Sequence, residues 1–281
     1  MARAWGEGDV PRAAACGLLA GALVAIGAGA AGAQAAPRLP FFAGERLEFT
    51  ARVAKVRASG TGTMWVEGPV DVRGSQTLRL RFDFSARVGP VKAEDRTESW
   101  LDPRRMAALR FQKHERHLLA KHDERVELFP EERRWAADDG TGGASPTDAP
   151  LDELSFMYFL RTLPLDADTV MRFDRHFDPA RSPTTVRVIG RDTVATPAGT
   201  FRGVVVEMKV KDPRRYRGEG TIRITLSDDA ARIPLRIESQ MPVVGAAVLT
   251  LRKHNQPAGR ITALLAGPPQ APAAPLASAA P

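Results

Sequence analysis

The chain has 281 residues, enough for one large β domain or two small ones, and its 43% hydrophobic content supplies a substantial core. Forty Lys and Arg against 33 Asp and Glu leave a formal charge of +7, which favours anionic partners. The cations are spread along every β segment and do not gather in one block, so nucleic acid is set aside as a partner.

Residues 13–32 form an uncharged run rich in Ala, Gly and Leu behind Arg3 and Arg12, the pattern of a secretory signal. Ala31-Gly32-Ala33 and Ala33-Gln34-Ala35 both offer an A-x-A site before Pro37, which predicts a signal peptide over residues 1–35 with cleavage after Ala33 or Ala35. An uncleaved anchor is the alternative, and the Ala/Gly content makes a poor one. Within residues 1–35, Arg3 and Arg12 balance Glu7 and Asp9, so the charge of +7 belongs to the mature part. Cys16 is the single cysteine and does not end the apolar run, which argues against a lipid-modified terminus and leaves the mature chain without a disulfide. The expected location is the periplasm or cell envelope. There, lipid, lipoprotein or anionic glycan becomes the expected partner, with no transmembrane segment after signal removal.

Strict alternation of apolar and polar residues marks half-buried strands, because successive side chains point to opposite faces. Leu47, Phe49, Ala51 and Val53 alternate with polar neighbours. Leu78, Leu80, Phe82, Phe84, Ala86 and Val88 do so most clearly, placing Phe82 and Phe84 on the buried face and Arg81 in solvent. Ile222 to Leu226, Ile233 to Ile237 and Ala247 to Leu251 repeat the pattern. Turn residues at Gly60-Thr61-Gly62, Pro197-Ala198-Gly199, Ser227-Asp228-Asp229 and Pro242 to Gly245 separate them and imply antiparallel hairpins.

One segment has another period. Leu151, Leu154, Tyr158 and Phe159 predict a short amphipathic helix from Leu151 to Leu163, with Asp148 as N-cap, Pro150 in the first turn and Pro164 as terminator. Residues 138–148 read as a loop, and residues 267–281, almost entirely Ala, Pro and Gly, as a disordered tail. The predicted fold is mainly β: a curved antiparallel sheet or partly open barrel over residues 36–266, with one short helix over its concave face.

The order of these segments resembles a family of bacterial exported proteins, domain of unknown function 3108. The matching residues are Gly44-Glu45-Arg46-Leu47, the run from Asp152 to Thr162, Gly190-Arg191-Asp192, Thr196 to Phe201, and Leu226-Ser227-Asp228-Asp229 running into Arg232-Ile233-Pro234. They span about Phe42 to His254. Thr225 stands where many members have Trp, and Gly203 where Cys is frequent. The resemblance implies an envelope-located β domain and assigns no catalytic residue. In outline its members are similar to periplasmic lipoprotein carriers, whose curved sheet wraps an apolar cavity.

His114, His117 and His122 lie close together beside Glu115, Asp123 and Glu124, yet residues three apart on a strand face opposite sides, so no metal site and no cofactor are expected. Asp152 and Glu153 fall in the first helical turn, where carboxylates complement the helix dipole, and Asp228 and Asp229 suit a turn. No nucleophile elbow, P-loop, zinc-protease or dinucleotide motif is present, so no catalytic residue is assigned. Met157, Tyr158 and Arg161 are the candidate ligand-binding residues, Tyr158 and Arg161 at the rim of a pocket beside the helix. The leading expectation is a binding or carrier module for an amphipathic anionic envelope molecule. A non-enzymatic interaction factor using a basic surface is the alternative, an envelope hydrolase the third, and an outer-membrane barrel a fourth, poorly supplied with aromatics.

Overall fold

The computed structural model describes residues 39–53, 58–88, 91–116, 121–241, 245–257 and 263–265. The expected signal peptide, the Ala/Pro-rich tail and His117 lie outside the described residues.

The alternating runs at Leu47 and Leu78 fall in β1 (Arg46–Val53) and β3 (Ser75–Val88), beside β2 (Ala58–Val72), β4 (Val91–Asp102), β5 (Ala107–Arg116), β6 (Lys121–Phe129), β7 (Arg134–Ala137) and β8 (Gly142–Ala144), the last inside the stretch expected to be a loop. Helix α1 (Glu153–Leu160) follows, then β9 (Val170–Phe173), a 3₁₀ turn (Pro179–Arg181), β10 (Thr184–Thr196), β11 (Gly199–Lys211), β12 (Glu219–Ser227), β13 (Pro234–Met241), β14 (Gly245–His254) and β15 (Ala263–Leu265). Fourteen strands lie in the order β8-β7-β6-β5-β4-β3-β2-β1-β14-β13-β12-β11-β10-β9, and β15 pairs with β11. Two antiparallel meanders are thus joined where β1 pairs with β14, and the helix lies in the connection between them. Among the described residues β8 and β9 do not pair with each other, so the sheet is barrel-like but not closed.

Leu47 and Phe49 of β1, Leu80 of β3, Val186 of β10 and Val206 of β11 share one core with the helix. A sheet whose distant strands pack on the same helix must curl around it. Gly62 makes the inner packing possible: a Cβ there would lie 2.7 Å from Leu249 Cδ2 and 3.3 Å from Phe82 Cε2. Gly203 does the same beside Thr225, whose Cγ2 would be 2.5 Å from an added Cβ. The two departures from the family pattern are therefore packing neighbours.

The helix differs from its predicted form. It starts at Glu153 with Asp152 as N-cap, not Asp148, because Leu151 is held extended by bonds from its N–H to Arg175 O and from Phe177 N–H to its carbonyl. Asp152 Oδ1 accepts from the N–H groups of Leu154 and Ser155 at 2.9 Å, and Ser155 Oγ accepts from Asp152 N–H at 2.9 Å. The far end tightens into i to i+3 bonds from Arg161, Thr162 and Leu163 before Pro164. Nor is the helix amphipathic: Leu154, Phe156, Tyr158, Phe159 and Leu160 are all buried, as in a helix surrounded by core.

The strand faces follow the alternation, with two corrections of degree. Phe82 and Phe84 pack against the main core but are half-buried. Arg81 is no free surface cation: it lies 4.5 Å from the Trp65 ring centroid, and bonds Glu67 at 3.0 Å and Glu98 at 2.9 Å.

Candidate functional site

Arg161, the C-cap of the helix, is 1% exposed, and its partner Glu45, just before β1, is 0% exposed. The guanidinium grips the carboxylate with both arms, Nη1 to Oε1 at 2.7 Å and Nη2 to Oε2 at 2.8 Å. Nη2 also donates to the carbonyls of Pro40 and Ala231, each at 3.0 Å, and Gln256 Nε2 donates to Glu45 Oε2 at 2.5 Å. Phe41 and Tyr158 flank the guanidinium, with ring centroids 5.4 and 5.3 Å from its carbon. Tyr158 is fully buried, and its phenol is pushed up by burial and by the charge of Glu45. Arg161 and Tyr158 are therefore not rim groups awaiting an anion. They belong to an internal clamp that ties the helix end to both ends of the domain.

At the other end of the helix a second polar group sits inside the fold. Lys113 of β5 binds Glu153 at 2.5 Å and Glu115 at 3.3 Å, and Arg181 binds Glu153 at 3.0 Å and Asp212 at 2.8 Å. Arg215 completes it, with Glu115 at 2.9 Å. Burial would raise the Glu153 carboxyl, but Lys113 and Arg181 outweigh it and hold the group below the usual carboxylate range. His176 is also lowered, but here burial is the chief cause: with the neighbouring charge of Arg181 it pushes the ring down to about 3. Every full charge in this cluster faces an opposite one, so it reads as a strap from β5 across to the turn after β11.

The apolar inner face is covered unevenly. Near the clamp Leu47, Met64, Leu80, Leu226 and Leu251 are buried. Phe82 and Phe84, opposite Met64 and Gly62, are half-buried, and at the far end of the inner face Val53, Ala247, Ile222 and Val210 are half-buried too, as is Met157 of the helix. Small residues, Ala51, Ala86 and Ala247, lie on this floor, where the register sets Ala51 opposite Leu249 and Ala247 opposite Val53. Of the three ligand-binding residues read from the sequence, Met157 alone is not fully buried.

Two surface clefts accompany it. One, about 610 Å³, lies past the helix C-terminus between Leu39, Pro103, Met106 and Leu163, with Arg104 and Arg232 on its wall and the edge of Arg161 at its base. The other, about 450 Å³, lies on the outer face among Thr61, Asp83, Arg96, His114 and Arg116. Its charges are already paired, Arg96 with Asp83 at 3.1 Å and His114 with Asp123 at 2.7 Å. His122 belongs to the opposite face of β6 from Asp123, and the described residues hold no group of three or more His, Cys, Asp or Glu arranged to bind a metal.

A family model described as a protein of unknown function, DUF3108, matches residues 48–252. The chain belongs to this family. No curated protein matches it. Among solved structures, a beta-barrel-like protein of domain of unknown function DUF1849 from Brucella abortus is similar at 12% identity and TM-score 0.51, covering 76% of this chain and 97% of that one. That likeness is one of fold alone. A candidate exported protein with a YmcC-like fold from Bacteroides fragilis gives TM-score 0.34 at 12% identity, covering 78% of this chain and 98% of its own. A candidate lipoprotein from Parabacteroides distasonis gives TM-score 0.30 at 12% identity, covering 77% and 97%.

In this DUF3108 domain three of the sequence segments that carry the resemblance meet in space. Glu45 from the opening motif, Arg161 from the helix motif and Ala231, between Asp229 and Arg232, converge on one guanidinium. Arg232 also donates to Leu163 O, and Asp229 Oδ1 accepts from the N–H groups of Ala231 at 3.0 Å and Arg232 at 3.2 Å, shaping the loop that reaches the clamp. Glu45, Gln256, Lys113 and Arg181 were not singled out in the sequence. The one available signal was Glu45 inside a recognisable motif; the others are ordinary charged residues until the fold places them.

Proposed function

We propose that the domain is a periplasmic or envelope binding module that carries an amphipathic anionic molecule on the apolar inner face of its sheet. The observation that carries this reading is the half-buried row of Val53, Ala247 and Ile222, with Val210, at the end of the inner face away from the clamp. Contiguous apolar surface left open in a soluble domain marks an interaction or ligand site. The secretion-like N-terminal sequence supports an envelope location, and no helix among the described residues is long and apolar enough to cross a membrane.

Titration with a dansylated fatty acid tests it. Saturable fluorescence enhancement, reversed by an unlabelled long-chain acid and not by acetate, is expected. A probe that stays dark would remove the carrier reading and favour an interaction factor that uses the charged outer face.

A further inference from the structure

The end of the sheet where the inner floor is least covered also carries an unusual charge pattern on its outer face. Arg52 of β1 pairs in register with Ser59, Ser59 with Arg87, and Arg87 with Lys92, so three exposed cations share one row across four strands. In the adjoining strands Arg116 stands directly opposite Lys121. Like charges directly opposite one another weaken a strand pair, and here two such pairs lie at the same end. Lys92 meets Glu94, and Arg116 meets Asp123. Arg52 and Arg87 have no ion pair among the described residues. Elsewhere on the outer face acids are interleaved, as in Arg223 with Glu207, Arg236 with Glu238 and Arg252 with Glu48.

We infer that this rim docks on an anionic lipid surface. A row of exposed cations with few acids among them is drawn to an external anionic array, and each Lys or Arg near such a surface adds about a factor of five to binding. A membrane fits better than a soluble polyanion, because the apolar floor opens at this same end and a bilayer supplies both the anionic plane and the amphiphile. The inference rests on the carrier reading and names the surface with which the carrier exchanges its load.

Cosedimentation of the full chain with phosphatidylglycerol–phosphatidylcholine vesicles tests it against vesicles of phosphatidylcholine alone. Binding to the anionic vesicles is expected at about 0.1 M salt and loss at about 0.5 M, where screening is short-ranged. Arg52→Glu/Arg87→Glu/Lys92→Glu should lower it more than about tenfold. A matched control, Arg187→Glu/Arg191→Glu/Arg202→Glu, alters the net charge equally but keeps the rim and should retain most binding. Equal sedimentation with neutral vesicles, no binding to anionic ones, or equal loss in the control would each overturn the proposal. Dansylated fatty acid uptake measured without vesicles separates the two readings: vesicle binding that survives while uptake fails supports the docking rim and removes the carrier.

Discussion

Arg161 is a residue whose role changes with its surroundings. In the sequence it is a cation near the end of a helix, facing nothing in particular; in the fold its partner comes from 116 residues away. Removing one member of a buried, hydrogen-bonded ion pair strands the other, so Arg161→Ala and Glu45→Ala should each cost about 3–5 kcal/mol in urea unfolding. The double variant Arg161→Met/Glu45→Leu should cost clearly less than the sum of the two. Additive costs would mean that the pair is not the unit of stabilisation. His176 gives a residue-scale pH dependence. Its folded value lies near 3 against an ordinary 6.5, so the unfolded chain takes up the proton first, and stability present above about pH 6.5 is lost as pH falls toward 3. Glu153, held low by Lys113 and Arg181, acts in the same direction below its ordinary 4.5. Because the ring keeps some exposure, His176→Gln should recover on the order of 2 kcal/mol of the loss between pH 7 and pH 4. An unchanged acid profile in that variant would place the titrating group elsewhere.

Among the elements, the alternating strands were legible, but the turn expected at Gly60-Thr61-Gly62 runs inside β2 between β1 and β3. Helix ends were not legible. A period of two survives burial on either face, so β3 could be placed from Leu78 to Val88 without knowledge of its neighbours. The helix start depended on Leu151 being bonded to the segment around His176, a distant contact that no local pattern encodes. Asp152 then caps the helix, accepts from Ser99 Oγ at 2.6 Å, and is pushed up to about 6, chiefly by burial. A carboxyl raised from 3.8 holds its proton longer in the folded state, so its contribution is full below about pH 4 and is lost as pH rises through 6. Asp152→Asn keeps the cap and should gain relative to wild type across that window, whereas Asp152→Ala should lose about 1–2 kcal/mol at any pH. A flat difference between Asp and Asn in urea midpoints from pH 4 to 7 would contradict the assignment. On β3, Arg81→Ala should cost about 1–2 kcal/mol through lost contact with Trp65 and loss of one of the two arginines that hold buried Glu98, more than a solvated arginine would.

For the whole molecule, the family and the open antiparallel sheet could be read from the chain, but the division of its interior could not. Sequence alternation says which face is apolar; it does not say how far one eight-residue helix extends along that face. Here the helix, clamped by Arg161 and strapped through Glu153, fills one end and leaves Val53, Ala247, Ile222 and Val210 half covered at the other. The carried molecule is the central claim, and solvent extraction with mass spectrometry of protein purified from the envelope tests it most directly. An amphiphile with an anionic head should co-purify near one per chain, and it should be lost when Ala247→Trp fills the floor of a domain whose unfolding midpoint is otherwise retained. Protein that emerges free of any amphiphile, or that keeps the same amphiphile with the floor filled, would contradict the account.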